Sequence, residues 1–350
     1  MVLNKKNFSK LKKFNFLITG GTGSFGQKFV EILQKKVRPK KIVIFSRDEL
    51  KQFNMQKKFN SENIRYFLGD IRDEKRLDLA LKNIDIVVHA AALKQVPAAE
   101  YNPTEVIKTN ILGAENLIRM SMNNNVKKIV ALSTDKAACP INLYGATKLV
   151  SDKLFSSANN ITGPKGPLFS IVRYGNVLNS RGSVIPFFLE KIKNKEKVLP
   201  ITHTEMTRFF LTIEDGVYFV LKSIQRMQGG EIFIPKCVSL KITDLAKALK
   251  KDISFKIIGL RPGEKLHEVL CPKDDSRNTI EFSSFYIIKP TINFGKKRNY
   301  KILPTKEVGK NVKENFEYNS YNNKNKITNL KIKILLKNLH LNKKIKYFNK

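Results

Sequence analysis

The sequence predicts an α/β protein built on an open, doubly wound parallel sheet, joined to a smaller α/β domain. Three observations predict it. Apolar runs of strand length alternate with amphipathic stretches as far as about residue 175. A glycine-rich turn, Thr19-Gly20-Gly21-Thr22-Gly23-Ser24-Phe25-Gly26, separates the first such run from the first helical stretch. Beyond residue 175 the alternation gives way to short strands mixed with short helices.

In chain order, strands are expected at 14–19, 41–46, 64–68, 84–89, 127–133 and 168–174, with helices near 24–36, 48–59, 73–82, 103–124 and 142–157. Right-handed crossovers then put the strand ends, and any ligand, along one edge. The later segments read as strands at 231–235, 254–258 and 282–288 and helices at 213–226 and 242–250. Three regions follow. Residues 13–175 form a Rossmann domain, 176–290 form mainly a substrate-binding domain with some segments returning to the first, and 291–350 form a basic extension. The last twenty or so residues, a Lys/Asn/Leu mixture, read as one helix or as a disordered, solvated appendage.

Composition narrows the function. Of 350 residues 42% are hydrophobic, yet no apolar run reaches the roughly 20 residues of a membrane helix. The basic start is not followed by a signal-type core, so a cytoplasmic protein is expected. Three scattered cysteines and four histidines fit neither a disulfide framework nor a metal site. The formal charge is +35, and residues 291–350 hold 16 Lys/Arg against 3 Asp/Glu. Such a charge attracts phosphate, but no helix-turn-helix or aromatic RNA-binding signature accompanies it, so nucleic acid is not the expected partner. A homo-oligomer is expected, and no membrane.

The glycine turn carries the first functional signal. Gly20, Gly23 and Gly26 have the spacing that permits a tight turn, close approach to a pyrophosphate and close helix packing, with Thr22, Ser24 and Phe25 between them. Ser46 and Arg47 stand at the tip of the second strand, with Lys51 one turn later, where an NAD site usually has an acid. A hydroxyl and two cations there suit a 2′-phosphate, so the cofactor expected is NADP. Asp70, followed by Ile71, either bonds the adenine amino group or caps the next helix. Ala90 ends the fourth strand on the same edge.

The second signal is a reacting centre. The fifth strand runs into Ser133-Thr134-Asp135-Lys136, and Tyr144 and Lys148 share a face of the following helix. The Lys148 cation is expected to lower the phenol's pKa and to hold the nicotinamide ribose. A phenolate there takes a proton from a substrate hydroxyl as hydride leaves.

These blocks resemble a family. The chain is similar to the extended short-chain dehydrogenase/reductases, and within them to the NADP-dependent inverting UDP-N-acetylglucosamine 4,6-dehydratases of pseudaminic acid synthesis. The resemblance runs from the glycine loop to about residue 323. It is carried by TGGTGSFG (19–26), FSRDELKQ (45–52), HAAALKQVPAAEYNP (89–103), LSTDKAACPINLYGATK (132–148), RYGNVLNSRGSVIPFF (173–188), EMTRFF (205–210) and LRPGEKLHE (260–268). Cys139 stands where a small polar residue is expected. Retaining sugar dehydratases carry Thr-Asp-Glu where this chain has Thr-Asp-Lys, and related capsule enzymes with Thr-Asp-Lys often replace the tyrosine by Met.

The resemblance implies that Tyr144 deprotonates the 4-hydroxyl, that Lys136 removes the C5 proton, that Asp135 protonates the departing 6-hydroxyl, and that Thr134 orients the reacting hydroxyl. For this Lys136 is expected to have a depressed pKa, through Lys148 or partial burial. The resemblance also implies contacts of Lys94 with cofactor or sugar, and of Asn176, Arg208, Arg261 and Glu264 with a UDP-sugar. A nucleotide-sugar 4-epimerase needs no Asp/Lys elimination pair and is the nearest alternative. A catalytically silent NADP-binding or nucleic-acid-binding protein is the other.

Overall fold

The computed structural model describes residues 8–163, 166–180, 182–292, 294 and 298–338. The first half alternates as β1 (Asn15–Thr19), α1 (Ser24–Ile32), β2 (Lys41–Ser46), α2 (Glu49–Lys58), β3 (Ile64–Leu68), α3 (Glu74–Leu81) and β4 (Ile86–His89). It continues through α4 (Val96–Tyr101), α5 (Pro103–Ile107), α6 (Gly113–Asn123), β5 (Lys128–Thr134), α7 (Leu143–Ile161) and β6 (Leu168–Tyr174). The six strands pair in parallel in the order β3-β2-β1-β4-β5-β6. Away from the edge strand β3, whose Arg65 and Leu68 are exposed, both faces are covered, which is why these strands read as largely apolar runs. Along β1, Phe16 and Ile18 join one core with Phe29 of α1, while Leu17 joins the other with Leu77 of α3 and Leu117 of α6.

The single helix expected over 103–124 is two helices joined by a π-helical turn at Lys108–Leu112. That turn aims Asn110 inward. Its Oδ1 accepts from Leu93 N at 2.9 Å, and its Nδ2 donates to Leu93 O at 2.9 Å and Thr147 Oγ1 at 3.1 Å. One side chain thus ties the loop after β4 to α7, a use of π-turns that recurs near functional sites.

The second half runs β7 (Asn176–Val177), α8 (Val184–Lys193), β8 (Val198–Ile201), β9 (Thr207–Leu211), α9 (Ile213–Arg226), β10 (Ile232–Pro235) and β11 (Val238–Lys241). It ends with α10 (Ile242–Leu249), β12 (Ser254–Ile257), β13 (Val269–Cys271), β14 (Thr279–Glu281), β15 (Phe285–Ile288), β16 (Lys310–Asn311), β17 (Tyr318–Asn319) and α11 (Asn329–Asn338). β10, β15, β14 and β16 extend the main sheet beyond β6 to ten strands. β11-β9-β7 and β12-β8 form two small sheets, and β13 pairs with β17.

The basic C-terminal segment is not an appendage in its described part. Tyr300, Leu303 and Tyr318 lie in the main core, and Arg226 holds Glu307 through two hydrogen bonds of 2.6 and 2.7 Å. α11 buries Ile332 and Leu336, four residues apart, in the core of the small sheets with Leu245 and Leu249 of α10. Of the two readings of the last twenty or so residues, the described part fits one helix, and burial of those two side chains corrects the solvated appendage. Residues 339–350 of the expected appendage lie outside the described residues.

Candidate active site

The loop from β1 to α1 is shaped for close approach. Gly20 has φ +64°, and a Cβ there would lie 2.8 Å from Ala91 N and 2.9 Å from the Ala90 carbonyl. Only glycine fits that turn. Gly23 caps α1 in an extended conformation with no side-chain cap, and Gly26 is buried one turn on. The first amides of α1 are therefore free of side-chain competition at the positive end of the helix. Phe25 stacks on Phe29. Ser46, at the end of β2, is buried and accepts from Gln52 Nε2 at 3.1 Å and from the Thr22 hydroxyl at 3.3 Å.

The residues expected at the 2′-phosphate already have partners. Arg47 is exposed with its Nη1 3.6 Å from Asp70 Oδ2, and Lys51 pairs with Asp48, the N-cap of α2. Asp70 does not cap α3; Asp73 does. Asp70 instead accepts from Arg72 N at 3.0 Å and Arg72 Nη2 at 2.7 Å. Partial burial opposes ionisation there, but the Arg72 bonds outweigh it and hold the carboxyl below its usual range. Ile71 is buried against Gly113. Behind Ala90, buried His89 bonds the Thr19 hydroxyl at 2.7 Å. Burial, aided by the Lys148 charge, pushes the imidazole down to about 3, so it is neutral.

The reacting centre is formed where β5 ends. Thr134 caps a short 3₁₀ turn, Asp135–Ala137, by accepting from Lys136 N at 3.3 Å. α7 packs directly on that turn, because a Cβ at Gly145 would lie 2.3 Å from Lys136 O. Asn142 starts α7 by accepting from Gly145 N at 2.8 Å, and donates to Gly263 O at 2.7 Å. Tyr144, Lys148 and Asp152 follow at four-residue intervals on one buried face. Asp152 accepts from Ser133 Oγ at 2.8 Å and Arg173 Nη2 at 3.1 Å.

The resting electrostatics correct two expectations. Burial pushes the Tyr144 phenol up to about 12, partly opposed by the Lys136 charge and a hydrogen bond with Thr134, so the phenol is raised and not lowered. Burial lowers Lys148 itself, opposed by Asp152. Lys136 is not depressed either. Burial disfavours its ammonium, but the carboxylates of Asp135 at 2.9 Å and Glu268 at 3.2 Å outweigh burial and hold it above the usual lysine range. Asp135 is fully buried, and burial raises its pKa in spite of Lys136.

The opposite wall comes from the second half. Arg208, on β9, is buried and donates to the carbonyls of Thr207, Lys265 and Leu266 at 2.8–3.0 Å. It also donates to Glu264 Oε1 at 3.3 Å, and its Nε lies 3.6 Å from Glu268 Oε1. Asn176 stands on β7, and Arg261 and Glu264 on the loop after β12. A cleft of about 1420 Å³ runs between the walls, from Gly20 and Arg47 past Lys94 and Tyr144 to Arg261. Every site residue expected from the sequence lines it except Asp135, which lies behind Lys136. Glu268 and Lys265 also line it, as the sequence reading did not anticipate. Both lie inside LRPGEKLHE, but nothing local marks Glu268, whose partner is 132 positions away.

Comparison with known proteins gives the following. The family described as "Polysaccharide biosynthesis protein" matches residues 16–290. The chain is 57% identical over 312 residues to a Campylobacter jejuni protein named UDP-N-acetylglucosamine 4,6-dehydratase (inverting), covering 89% of this chain and 93% of that one. It is 42% identical over 284 residues to a Rickettsia conorii protein named UDP-glucose 4-epimerase, covering 78% and 82%. Among solved structures, Pen from Bacillus thuringiensis superposes with a TM-score of 0.85 at 36% identity, covering 95% of this chain and 99% of that one.

Proposed function

Because this chain belongs to the polysaccharide biosynthesis protein family, we propose that it is an inverting UDP-N-acetylglucosamine 4,6-dehydratase. The product is a UDP-2-acetamido-2,6-dideoxy-4-hexulose, and the resemblance of the sequence blocks supports the reading of this reaction as the first step of pseudaminic acid synthesis. The observation that carries the reading is the Asp135–Lys136 pair beside Tyr144 in one cleft. A 4-epimerase, the name borne by the Rickettsia relative, has no use for a buried acid and amine paired there.

The cradle at Gly20, the uncapped start of α1 and the Tyr144/Lys148 face suit a nicotinamide dinucleotide. Bound there, it supplies hydride uptake from C4 and hydride return to C6. The chain's own residues move the protons. Tyr144, once its phenol has given up its own proton, takes the 4-hydroxyl proton with Thr134 orienting the group. The 4-ketone acidifies the C5 hydrogen, which Lys136 removes once it is neutral. Asp135, whose burial favours the protonated form, gives its proton to the departing 6-oxygen. Arg208 and Arg261 suit the diphosphate, and Asn176 and Glu264 suit uridine or sugar hydroxyls.

Purified protein incubated with UDP-N-acetylglucosamine in deuterated water, followed by NMR, tests the reading. The expected product is a 6-deoxy-4-keto sugar inverted at C5 and carrying deuterium there. A product that keeps its 6-hydroxyl selects the epimerase.

We further propose NADP as the dinucleotide. Arg47 and Lys51 must leave Asp70 and Asp48 to meet a 2′-phosphate, but the Lys51–Asp48 pair is exposed and partly buried Asp70 keeps Arg72 as its partner, so both cost little to break. A charge-assisted hydrogen bond to the phosphate is worth about 1.5–3 kcal/mol. Arg47→Asp is expected to weaken NADP binding about tenfold or more while leaving NAD binding nearly unchanged. Calorimetry on cofactor-stripped protein checks this, and equal affinity of the unmutated protein for both dinucleotides would rule NADP preference out.

A further inference from the structure

Lys136 meets two carboxylates of unlike character. Asp135 is fully buried behind the cleft wall, and its Oδ1 accepts from Lys136 Nζ at 2.9 Å and from the Thr134 hydroxyl at 3.1 Å. Glu268 is 2% exposed, lines the cleft, and accepts from Lys136 Nζ at 3.2 Å. It faces two further cations, Arg208 from β9 and Lys265 from its own loop. Tyr144, from α7, also faces Lys136. Asp135 Oδ2 and Glu268 Oε2 are both buried with no hydrogen-bond partner among the described residues. The backbone of Glu268 is fixed, since its N donates to Ser320 Oγ at 2.9 Å and its O accepts from Ser320 N at 2.8 Å.

We propose that Glu268 accepts the ammonium proton of Lys136 and so makes that lysine the base for C5. This rests on the dehydratase reading. A lysine in an ion pair cannot remove a proton, so its own proton needs a place to go. Asp135 cannot receive it, because Asp135 must already hold the proton that leaves with the 6-oxygen. Glu268 is the other acceptor in reach. Environment separates the two carboxyls: burial keeps Asp135 towards its neutral form, whereas for Glu268 burial is outweighed by Lys136, Arg208 and Lys265, which keep it ionised.

The steps balance. One Nζ–H bond of Lys136 breaks and an O–H bond forms on Glu268, turning an ion pair into a neutral pair. The amine then takes the C5 proton, and the electron pair enters the C4 carbonyl as an enolate. The enolate collapses as the C6–O bond breaks, and the Asp135 proton leaves with that oxygen as water. Lys136, again an ammonium, returns a proton to Asp135 across 2.9 Å. Glu268 then returns its proton to Lys136, which restores the ion pair for the next turnover, and C5 takes a proton from solvent on its opposite face as C6 is reduced. Glu268 is thus a positioning residue that acts through Lys136.

Glu268→Gln in the full chain tests this, because the amide keeps the size and cannot take a proton. At neutral pH kcat for the 6-deoxy product is expected to fall about 10²–10³-fold. KM stays within about threefold, and reduced-nicotinamide absorbance still appears on adding UDP-N-acetylglucosamine. The variant's kcat then climbs about tenfold per pH unit, as solvent removes the Lys136 proton instead, while the unmutated enzyme stays flat. Glu268→Asp retains a carboxylate and keeps more activity than the glutamine variant, which separates proton acceptance from folding. A glutamine variant within about threefold of the unmutated rate, or a loss equal at every pH, overturns the proposal. Unmutated enzyme that yields no 6-deoxy product overturns the dehydratase reading, and this role with it.

Discussion

Lys136→Ala is expected to bind UDP-N-acetylglucosamine and to form 6-deoxy product about 10²–10⁴-fold more slowly, the usual loss when a positioned base is removed. Binding is expected to persist because the residues that suit the nucleotide, Arg208, Arg261 and the glycine loop, are all retained in the cleft. The first half of the reaction needs only Tyr144 and the dinucleotide, so reduced-nicotinamide absorbance accumulates in the variant. Single-turnover absorbance and product NMR measure the two halves separately. Normal turnover would remove Lys136 from the mechanism. The variant also removes the cation that opposes the burial-raised pKa of Asp135, so that carboxyl moves further above its unfolded value. Stability is then retained in acid and lost as pH rises through the raised folded value, a trend that melting curves at several pH values report.

Tyr144→Phe is expected to act earlier and more completely. Removing the phenol oxygen removes the acceptor for the 4-hydroxyl proton, so neither 6-deoxy product nor reduced nicotinamide forms, with a loss of about 10²–10⁴-fold in both signals. The fold should tolerate the change, because the ring stays packed against Ala99 and Val106. Stopped-flow absorbance distinguishes the variants: accumulation in Lys136→Ala, silence in Tyr144→Phe. Absorbance in the phenylalanine variant equal to that of unmutated protein would show that another group takes the proton.

The first half of the fold was legible because its strands are buried on both faces. The strand expected at 14–19 is Asn15–Thr19, and those expected at 41–46, 64–68 and 168–174 are found at those residues. In the second half the strands expected at 231–235, 254–258 and 282–288 are found within those segments, but others are hidden. Thr207–Leu211 is buried throughout yet begins Thr-Arg, because Arg208 is satisfied by three carbonyls rather than by water. α8 went unread, and α11 was obscured by its Lys/Asn composition, although Ile332 and Leu336, with Leu335 beside them, mark its buried side. In the site, spacing pointed to Tyr144 and Lys148 because four residues make one helical turn. Spacing has nothing to say about Glu268 and Lys136, which meet only after the chain has crossed between halves. The protonation of Lys136 was misjudged for the same reason, because the second carboxylate was not in view.

The clasp between Glu268 and Ser320 also sets a timetable. Synthesis delivers the chain from its N-terminus, and domains fold largely as they emerge. All six parallel strands and the dinucleotide cradle are encoded before residue 175. The backbone at Glu268 waits for Ser320, and the core beneath Arg208's sheet waits for Ile332 and Leu336. A nascent chain therefore carries the Gly20 turn long before Glu268 is clasped beside Lys136, and a message cut short before codon 320 encodes the turn without the clasp.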